Sequence, residues 1–305
     1  LFLSGVTWPF SLAAQEARGR TSGQIHRKVA VRALSLFLIE VCLGGLLKFK
    51  PDFRLMGVLS FIGLSWGLAA ILFMHVRDGL KRAMLVVSLL VGYWALLRFG
   101  IAPDAPAGAD SYAKDWNIVS WLDRTVWPNH LLAKGVYEPE SMFSLTNGAA
   151  LAFLGMCAGA LLRSTRFAAA QKARLLLSAG LGLLIADLAF VFVLGDRIVK
   201  ALWTTSFVLS AASYSSLLLA LFYWIVDVKG WRGWTLYFRV IGMNSILIYL
   251  MMRLGILSTL GNFLSGGFAG WAGEPWSAAV RAVGSLAAGW LVLYMLYRKK
   301  AFLNV

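Results

Sequence analysis

Cysteine, histidine and acidic residues are scarce in this 305-residue chain: 2 Cys, 3 His, and 14 Asp and Glu against 29 Lys and Arg. Cys42 and Cys157 both lie inside apolar runs, which argues against a disulfide framework or a Cys-based metal site and for free core thiols. His26, His75 and His130 are dispersed, with no His-Glu-x-x-His and no Cys/His cluster, so the sequence offers no metal centre. A phosphate loop ending in Lys-Ser or Lys-Thr and a Gly-x-Ser-x-Gly elbow are also absent, which excludes those nucleotide-hydrolase and serine-hydrolase solutions. Charged residues make up only 14% of the chain, too few for an ordinary soluble domain.

What is present is apolar. Hydrophobic residues reach 59%, with 13 Trp, and the mean hydropathy is +0.72. These values describe an integral membrane protein. The expected fold is all-α, a polytopic transmembrane bundle forming a single domain over 1–305. Crossing about 30 Å of hydrocarbon takes roughly 20 helical residues. Eight runs qualify, near 29–47, 55–76, 83–101, 142–163, 175–194, 201–226, 236–254 and 277–297. Residues 1–14 are apolar but too short, and begin without Met or a charged leader. They read as the tail of a partial ninth helix, so the sequence is expected to be N-terminally incomplete.

Lys and Arg concentrate in 15–28, 77–82, 163–174, 227–239 and 298–300, all on one side of the proposed membrane. The positive-inside rule makes that side cytoplasmic, with the C-terminus inside, as in a bacterial inner-membrane protein. The high isoelectric point, about 10.2, then needs anionic lipid and no nucleic acid as counter-charge. One large loop, 102–141, falls on the opposite side. It combines Asn117, Asp123, Trp127, His130 and Glu140, and Trp beside carboxylates and amides suits a sugar, whose ring face stacks on indole while its hydroxyls take polar partners. An interfacial tryptophan belt with solvated charges would share this composition.

Three later clusters punctuate the apolar runs: Asp196-Arg197-Ile198-Val199-Lys200-Ala201-Leu202-Trp203-Thr204-Thr205-Ser206, then Asp227-Val228-Lys229-Gly230, then Gly242-Met243-Asn244-Ser245-Ile246-Leu247-Ile248-Tyr249. Lys200 and Trp203, three apart at a helix start, are expected to share a vestibule. Glu140, following Pro139, is expected at a helix start as well. Asn244 is expected inside an apolar helix, where an amide needs a partner. Arg32, Glu40 and Asp187 are intramembrane charges that call for pairing or a water-filled cavity. Residues 265–270, rich in glycine, read as a flexible connector. Gly155-Met156-Cys157-Ala158-Gly159 licenses close helix packing, inside the protein or in a homodimer.

In order and spacing these clusters, together with Asn117 to Arg124, His130-Leu131 and Glu138-Pro139-Glu140, resemble the heparan-α-glucosaminide N-acetyltransferase family and its bacterial NagX-like homologues. Departures include Ser60-Phe61 where the family carries Gln-Arg after the counterpart of Arg54, and Val199 where it carries Asn. The resemblance implies transfer of acetyl from cytoplasmic acetyl-CoA, a co-substrate, to the amine of a glucosamine-type sugar or glycan across the membrane, without metal. It implies a principal catalytic His upstream of Leu1. Within the chain His130, Asp123 and Glu140 are the catalytic candidates, and Arg54, Asn117, Trp127, Lys200, Trp203, Thr204, Ser206 and Asn244 the binding candidates. An O-acyltransferase of envelope polysaccharide and a non-enzymatic transporter of sugar or lipid precursor stay open, although no internal repeat marks the latter.

Overall fold

A computed structural model describes residues 1–49, 52–132 and 136–303. Residues 133–135 of the long loop, and 50–51 of the earlier one, lie outside the described set. Twelve α-helices occur among the described residues: α1 (Phe2–Ala17), α2 (Ser22–Leu43), α3 (Val58–His75), α4 (Gly79–Phe99), α5 (Ile118–Val126), α6 (Leu145–Arg163), α7 (Ala169–Phe192), α8 (Thr205–Tyr223), α9 (Thr235–Met243), α10 (Ser245–Arg253), α11 (Ile256–Ala272) and α12 (Trp276–Arg298). Their only β-like feature is one isolated bridge between Ile101 and Asn117.

Six helices are long and apolar enough to cross a membrane: α3, α4, α6, α7, α12, and α8 with the π turn Trp224–Val228 that extends it. With α9 and α10 taken as one bent span there are seven. The molecule is therefore an all-helical integral membrane protein. Each of the eight apolar runs has a helical counterpart. α2 is long enough at 22 residues but carries Arg27, Lys28, Arg32 and Glu40. The run at 236–254 breaks at Asn244, where α9 and α10 meet at 71°. Asn244 is thus a hinge residue, not the mid-helix amide the apolar pattern implied. The expected connector at 265–270 is likewise helical, inside α11.

Local chemistry sets the helix starts. Thr21 and Gln24 form a capping box on α2, Asp78 accepts from Lys81 N at 2.9 Å to open α4, and Asn117 and Thr204 cap α5 and α8. Glu40, buried near the end of α2, accepts the Leu59 N–H at 2.9 Å, so a buried carboxylate meets the positive end of α3. Arg32 lies over the Trp66 ring at 4.5 Å, and Asp187 accepts the Ser210 hydroxyl.

The chain divides into two compact units, Leu1–Lys229 and Gly230–Val305. In the first, α6 packs against α1, α3, α4 and α8. Glycine makes the α1 contact possible. A Cβ added at Gly155 would sit 2.0 Å from Phe2 O, one at Gly159 2.1 Å from Val6 O, and one at Gly5 2.1 Å from Ala152 O. The small-residue pattern at Gly155 and Gly159 therefore works within the chain. In the second unit α11 and α12 form a tight pair in which Gly261 meets Ser285 and Gly284 meets Ser265. There the Asn244 amide donates to Ala301 O at 3.3 Å and accepts Leu303 N–H at 3.1 Å.

Gly155→Ala or Gly159→Ala should cost about 1–3 kcal/mol through forced separation of α1 from α6. Gly182→Ala, where a Cβ meets nothing within 4 Å, should instead gain about 0.5–1 kcal/mol from reduced chain freedom. Denaturant unfolding of the purified protein in detergent reads both signs.

Candidate functional site

The ends of α3, α6 and α8 nearest the long loop gather most of the candidate residues. Arg54 is pinned by its backbone, donating N–H to Gly44 O at 3.2 Å at the end of α2, while the Leu55 N–H reaches His130 O at 3.1 Å. Its guanidinium forks onto Glu138, with Nε at 3.0 Å from Oε2 and Nη2 on Oε1, and also meets Glu140 Oε2 at 2.6 Å. Glu138 further accepts the backbone N–H groups of Leu132 and Glu140. One cation shared by two carboxylates leaves a net negative charge. Burial pulls the Arg54 guanidinium down, but the hydrogen bonds and charges of Glu138 and Glu140 outweigh it and raise it overall. Burial, with Glu138 alongside, holds the Glu140 carboxyl above its usual range despite Arg54. Glu140 sits in a turn, and α6 begins only at Leu145.

Asp123 lies on the inner face of α5, 2% exposed. Its Oδ1 accepts the Ser141 hydroxyl at 3.0 Å, and its buried Oδ2 has no hydrogen-bond partner among the described residues. Burial lifts its pKa to about 7, Glu138 adds to the rise, and the Ser141 hydrogen bond opposes it. Trp127, just beyond α5, carries a buried indole N–H that is also unpartnered. His130 directs Nδ1 to the Phe53 carbonyl at 2.8 Å, its ring against Phe53 at 4.7 Å. A carbonyl only accepts, so Nδ1 carries the proton and Nε2 keeps a lone pair in the neutral ring.

The second cluster centres on Asp196. Oδ1 accepts the Tyr112 hydroxyl at 2.7 Å, and Oδ2 accepts both N–H and hydroxyl of Ser206 at 2.8 Å. This ties the long loop to the first turn of α8 over a small core of Tyr93, Leu97, Tyr112, Val119 and Leu202. Burial and the Asp196 carboxylate together push the Tyr112 phenol upward. Trp203, with φ 49°, projects before α8 and stacks on Phe61 at 4.2 Å. Asn147 on α6 donates to Trp203 O at 2.8 Å, while its Oδ1 and the hydroxyls of Ser60 and Ser65 on α3 are buried without partners among the described residues.

Other candidates fall differently. Asn117 is fully occupied, accepting from Ser120 N at 2.8 Å and donating to Ala113 O, Lys114 O and Ser120 Oγ, so its amide holds α5 in place. Thr204 is likewise committed, to Val199 N at 3.0 Å and Phe207 N. Lys200 opens a single 3-10 turn and is exposed; with Trp203 left-handed and α8 starting at Thr205, the two do not share a helical face. Asn244 belongs to the second unit. Asp196, Tyr112 and Ser141 were not singled out from the sequence. Asp196 stood in a quoted cluster, but nothing local distinguishes Tyr112.

At the opposite end of α6, about 27 Å away along the helix, a cavity of about 1050 Å³ opens among the ends of α1, α2, α3 and α6. Arg20, Arg77, Arg82, Arg163 and Arg166 line it, with Glu16 opposing. His26 and His75 face one another there at 5.2 Å, each with Nδ1 on the carbonyl four residues earlier. These residues come from separate segments, and only folding assembles them.

No family model matches the chain. It is similar to the heparan-alpha-glucosaminide N-acetyltransferase of Homo sapiens, 25% identical over 308 aligned positions that cover 82% of this chain and 45% of the human protein. The mouse (Mus musculus) protein of that name is 29% identical over 188 positions, covering 55% of this chain and 26% of the relative. The chain thus spans less than half the length of the curated relatives it matches.

Arg54→Gln leaves the buried Glu138 and the partly buried Glu140 without their shared cation and should cost about 3 kcal/mol. Arg54→Lys should restore only part of this, lacking the fork. Because the Glu140 carboxyl lies above its unfolded value, its contribution to stability falls as pH rises from about 4.3. Arg54→Gln should steepen that fall, as thermal unfolding across the acid range would reveal.

Proposed function

We propose that this chain, which belongs to the heparan-α-glucosaminide N-acetyltransferase family, transfers an acetyl group from cytoplasmic acetyl-CoA to the amine of a glucosamine-type sugar on the far side of the membrane. The observation that carries this reading is the opposite chemistry of the two ends of α3 and α6. One end holds a basic cavity; the other holds an acidic cluster with a buried carboxylate whose second oxygen is unspent.

The residues present suit acetyl-CoA. A cavity of about 1050 Å³ is at the upper end of small-molecule sites. Guanidinium forks match phosphate oxygens, and Arg20, Arg77, Arg163 and Arg166 would hold the phosphates. The thioester supplies an acyl group activated toward amines. Along α3 and α6 the unpartnered polar atoms of Ser65, Ser60 and Asn147 offer hydrogen bonds between the two ends, in an interior where such groups are costly without a role.

At the far end the excess negative charge around Arg54, Glu138 and Glu140 attracts an ammonium group. An ammonium cannot attack a carbonyl until it loses a proton. Asp123, with a pKa near 7 and a free oxygen, suits that base, since proton transfer is most effective when the pKa lies near the working pH. Its ionised, acceptor form predominates above that value. His130 Nε2 is a second acceptor held by the Phe53 contact, and the Trp127 N–H is a donor for a developing oxyanion or a sugar hydroxyl. Half-exposed Trp203 on Phe61 offers an aromatic face to a sugar ring. The Lys and Arg distribution supports a cytoplasmic placement of the cavity.

Proteoliposomes holding the chain, with labelled acetyl-CoA on one side and glucosamine on the other, test the reading. Labelled N-acetylglucosamine is the expected product, and its absence with a folded protein would overturn it. Asp123→Asn should lower turnover by about 10²–10⁴-fold and remove the rise of kcat/KM through pH about 7. Arg163→Gln should raise the KM for acetyl-CoA with little change in kcat.

A further inference from the structure

The unit Leu1–Lys229 carries a second concavity of different character. A groove of about 560 Å³ runs along α4 and is walled by α6, α7 and α8, with Val87, Val91, Leu154, Ala186 and Phe190 among its lining side chains. Val87 is 57% and Val91 40% exposed, so the groove faces outward from apolar helices, where a bilayer supplies acyl chains. Gly79 to Val91 is about 18 Å of helix, close to one leaflet of a hydrocarbon core about 30 Å thick.

One end of the groove is charged. Arg82 lines both the groove and the basic cavity. Its guanidinium is held in place, with Nε on Val76 O at 2.7 Å, Nη2 on Phe73 O at 3.4 Å and the group over the Phe73 ring at 3.8 Å. These bonds use two of the five N–H donors of a guanidinium. Among the described residues no carboxylate pairs with Arg82. A fixed cation with unspent donors therefore stands at the membrane-edge end of an apolar groove one leaflet deep. Arg77, Arg163 and Arg166 extend the positive surface beside it.

We propose that this groove binds one anionic phospholipid, with an acyl chain along α4 between α6, α7 and α8 and the phosphate on Arg82. The charge selects the headgroup class. An anionic lipid gains both the fork geometry of arginine on phosphate and the attraction of the neighbouring positive surface, whereas a zwitterionic lipid cancels most of the latter. The groove depth fits a lipid anchored at the interface where Arg82 lies. The proposal stands independently of the acetyltransferase reading, because its test measures binding and not turnover.

Native mass spectrometry of the full chain in detergent, titrated with phosphatidylglycerol or phosphatidylcholine, provides that test. The expected result is one phosphatidylglycerol per chain, retained at concentrations at least tenfold below those needed for phosphatidylcholine. Arg82→Gln should abolish the preference and Arg82→Lys should retain part of it. Ala186→Trp, which fills the groove and leaves the charge in place, should remove the bound lipid while circular dichroism stays helical. Inorganic phosphate in excess should leave phosphatidylglycerol bound. Equal retention of the two lipids by the wild-type chain, undiminished retention by Ala186→Trp, or displacement by phosphate alone would overturn the proposal.

Discussion

The first unit depends on a contact from which side chains are missing. α1 and α6 approach so closely that Gly5, Gly155 and Gly159 have no room for a methyl group. In hydrocarbon, helices gain little from hiding apolar surface, because lipid is as apolar as leucine; close van der Waals packing has to replace that drive. The α1 contact leaves the other faces of α6 free to meet α3, α4 and α8. α6 thereby becomes the axis that carries Asn147 at one end and Arg163 at the other. Both the acidic cluster and the basic cavity are positioned by that axis.

Charge is arranged along it with economy. The positive residues that concentrate in a few segments of the sequence also line a cavity by their positions. The acidic residues are fewer and are committed individually. Glu138 is locked by Arg54 and two backbone N–H groups, and Glu40 meets the start of α3. This is the pattern expected of carboxylates in an apolar interior, where an uncompensated charge is expensive.

The apolar runs were legible because a bilayer imposes a length, but of the eight expected spans only six described helices are long and apolar enough, or seven with the bent pair α9–α10. What stayed hidden were features whose meaning depends on neighbours distant in sequence. Glycine at 265–270 signals a break by propensity, yet the stretch is helical inside α11, where Gly266, Gly267 and Gly270 face open space and Ser265 meets Gly284 of α12. The packing use of Gly155 and Gly159 was readable only as a licence, since nothing in the sequence pairs them with Gly5 of α1. His130, Asp123, Glu140, Arg54 and Trp127, drawn from the long loop and the segment before α3, lie together at one end of the helices. Asn117 and Thr204 have polarity suited to binding but spend it on caps, which spacing alone does not separate from a ligand role. Phe61 illustrates the reverse. Where the resemblance expects a polar pair, Ser60-Phe61 puts an aromatic ring beneath Trp203, turning a polar position into support for an aromatic platform.

The same accounting separates the two buried aspartates near the long loop. Asp196 has both oxygens engaged, one by Tyr112 and the other twice by Ser206. To accept a substrate proton it would have to release bonds that hold the loop to α8. Asp123 accepts the Ser141 hydroxyl through Oδ1, and among the described residues its buried Oδ2 has no hydrogen-bond partner. Burial that would be merely costly for a structural carboxylate raises its proton affinity into the neutral range. The residue whose hydrogen bonding is incomplete is therefore the one we propose as the base, while the saturated Asp196 holds the loop to α8.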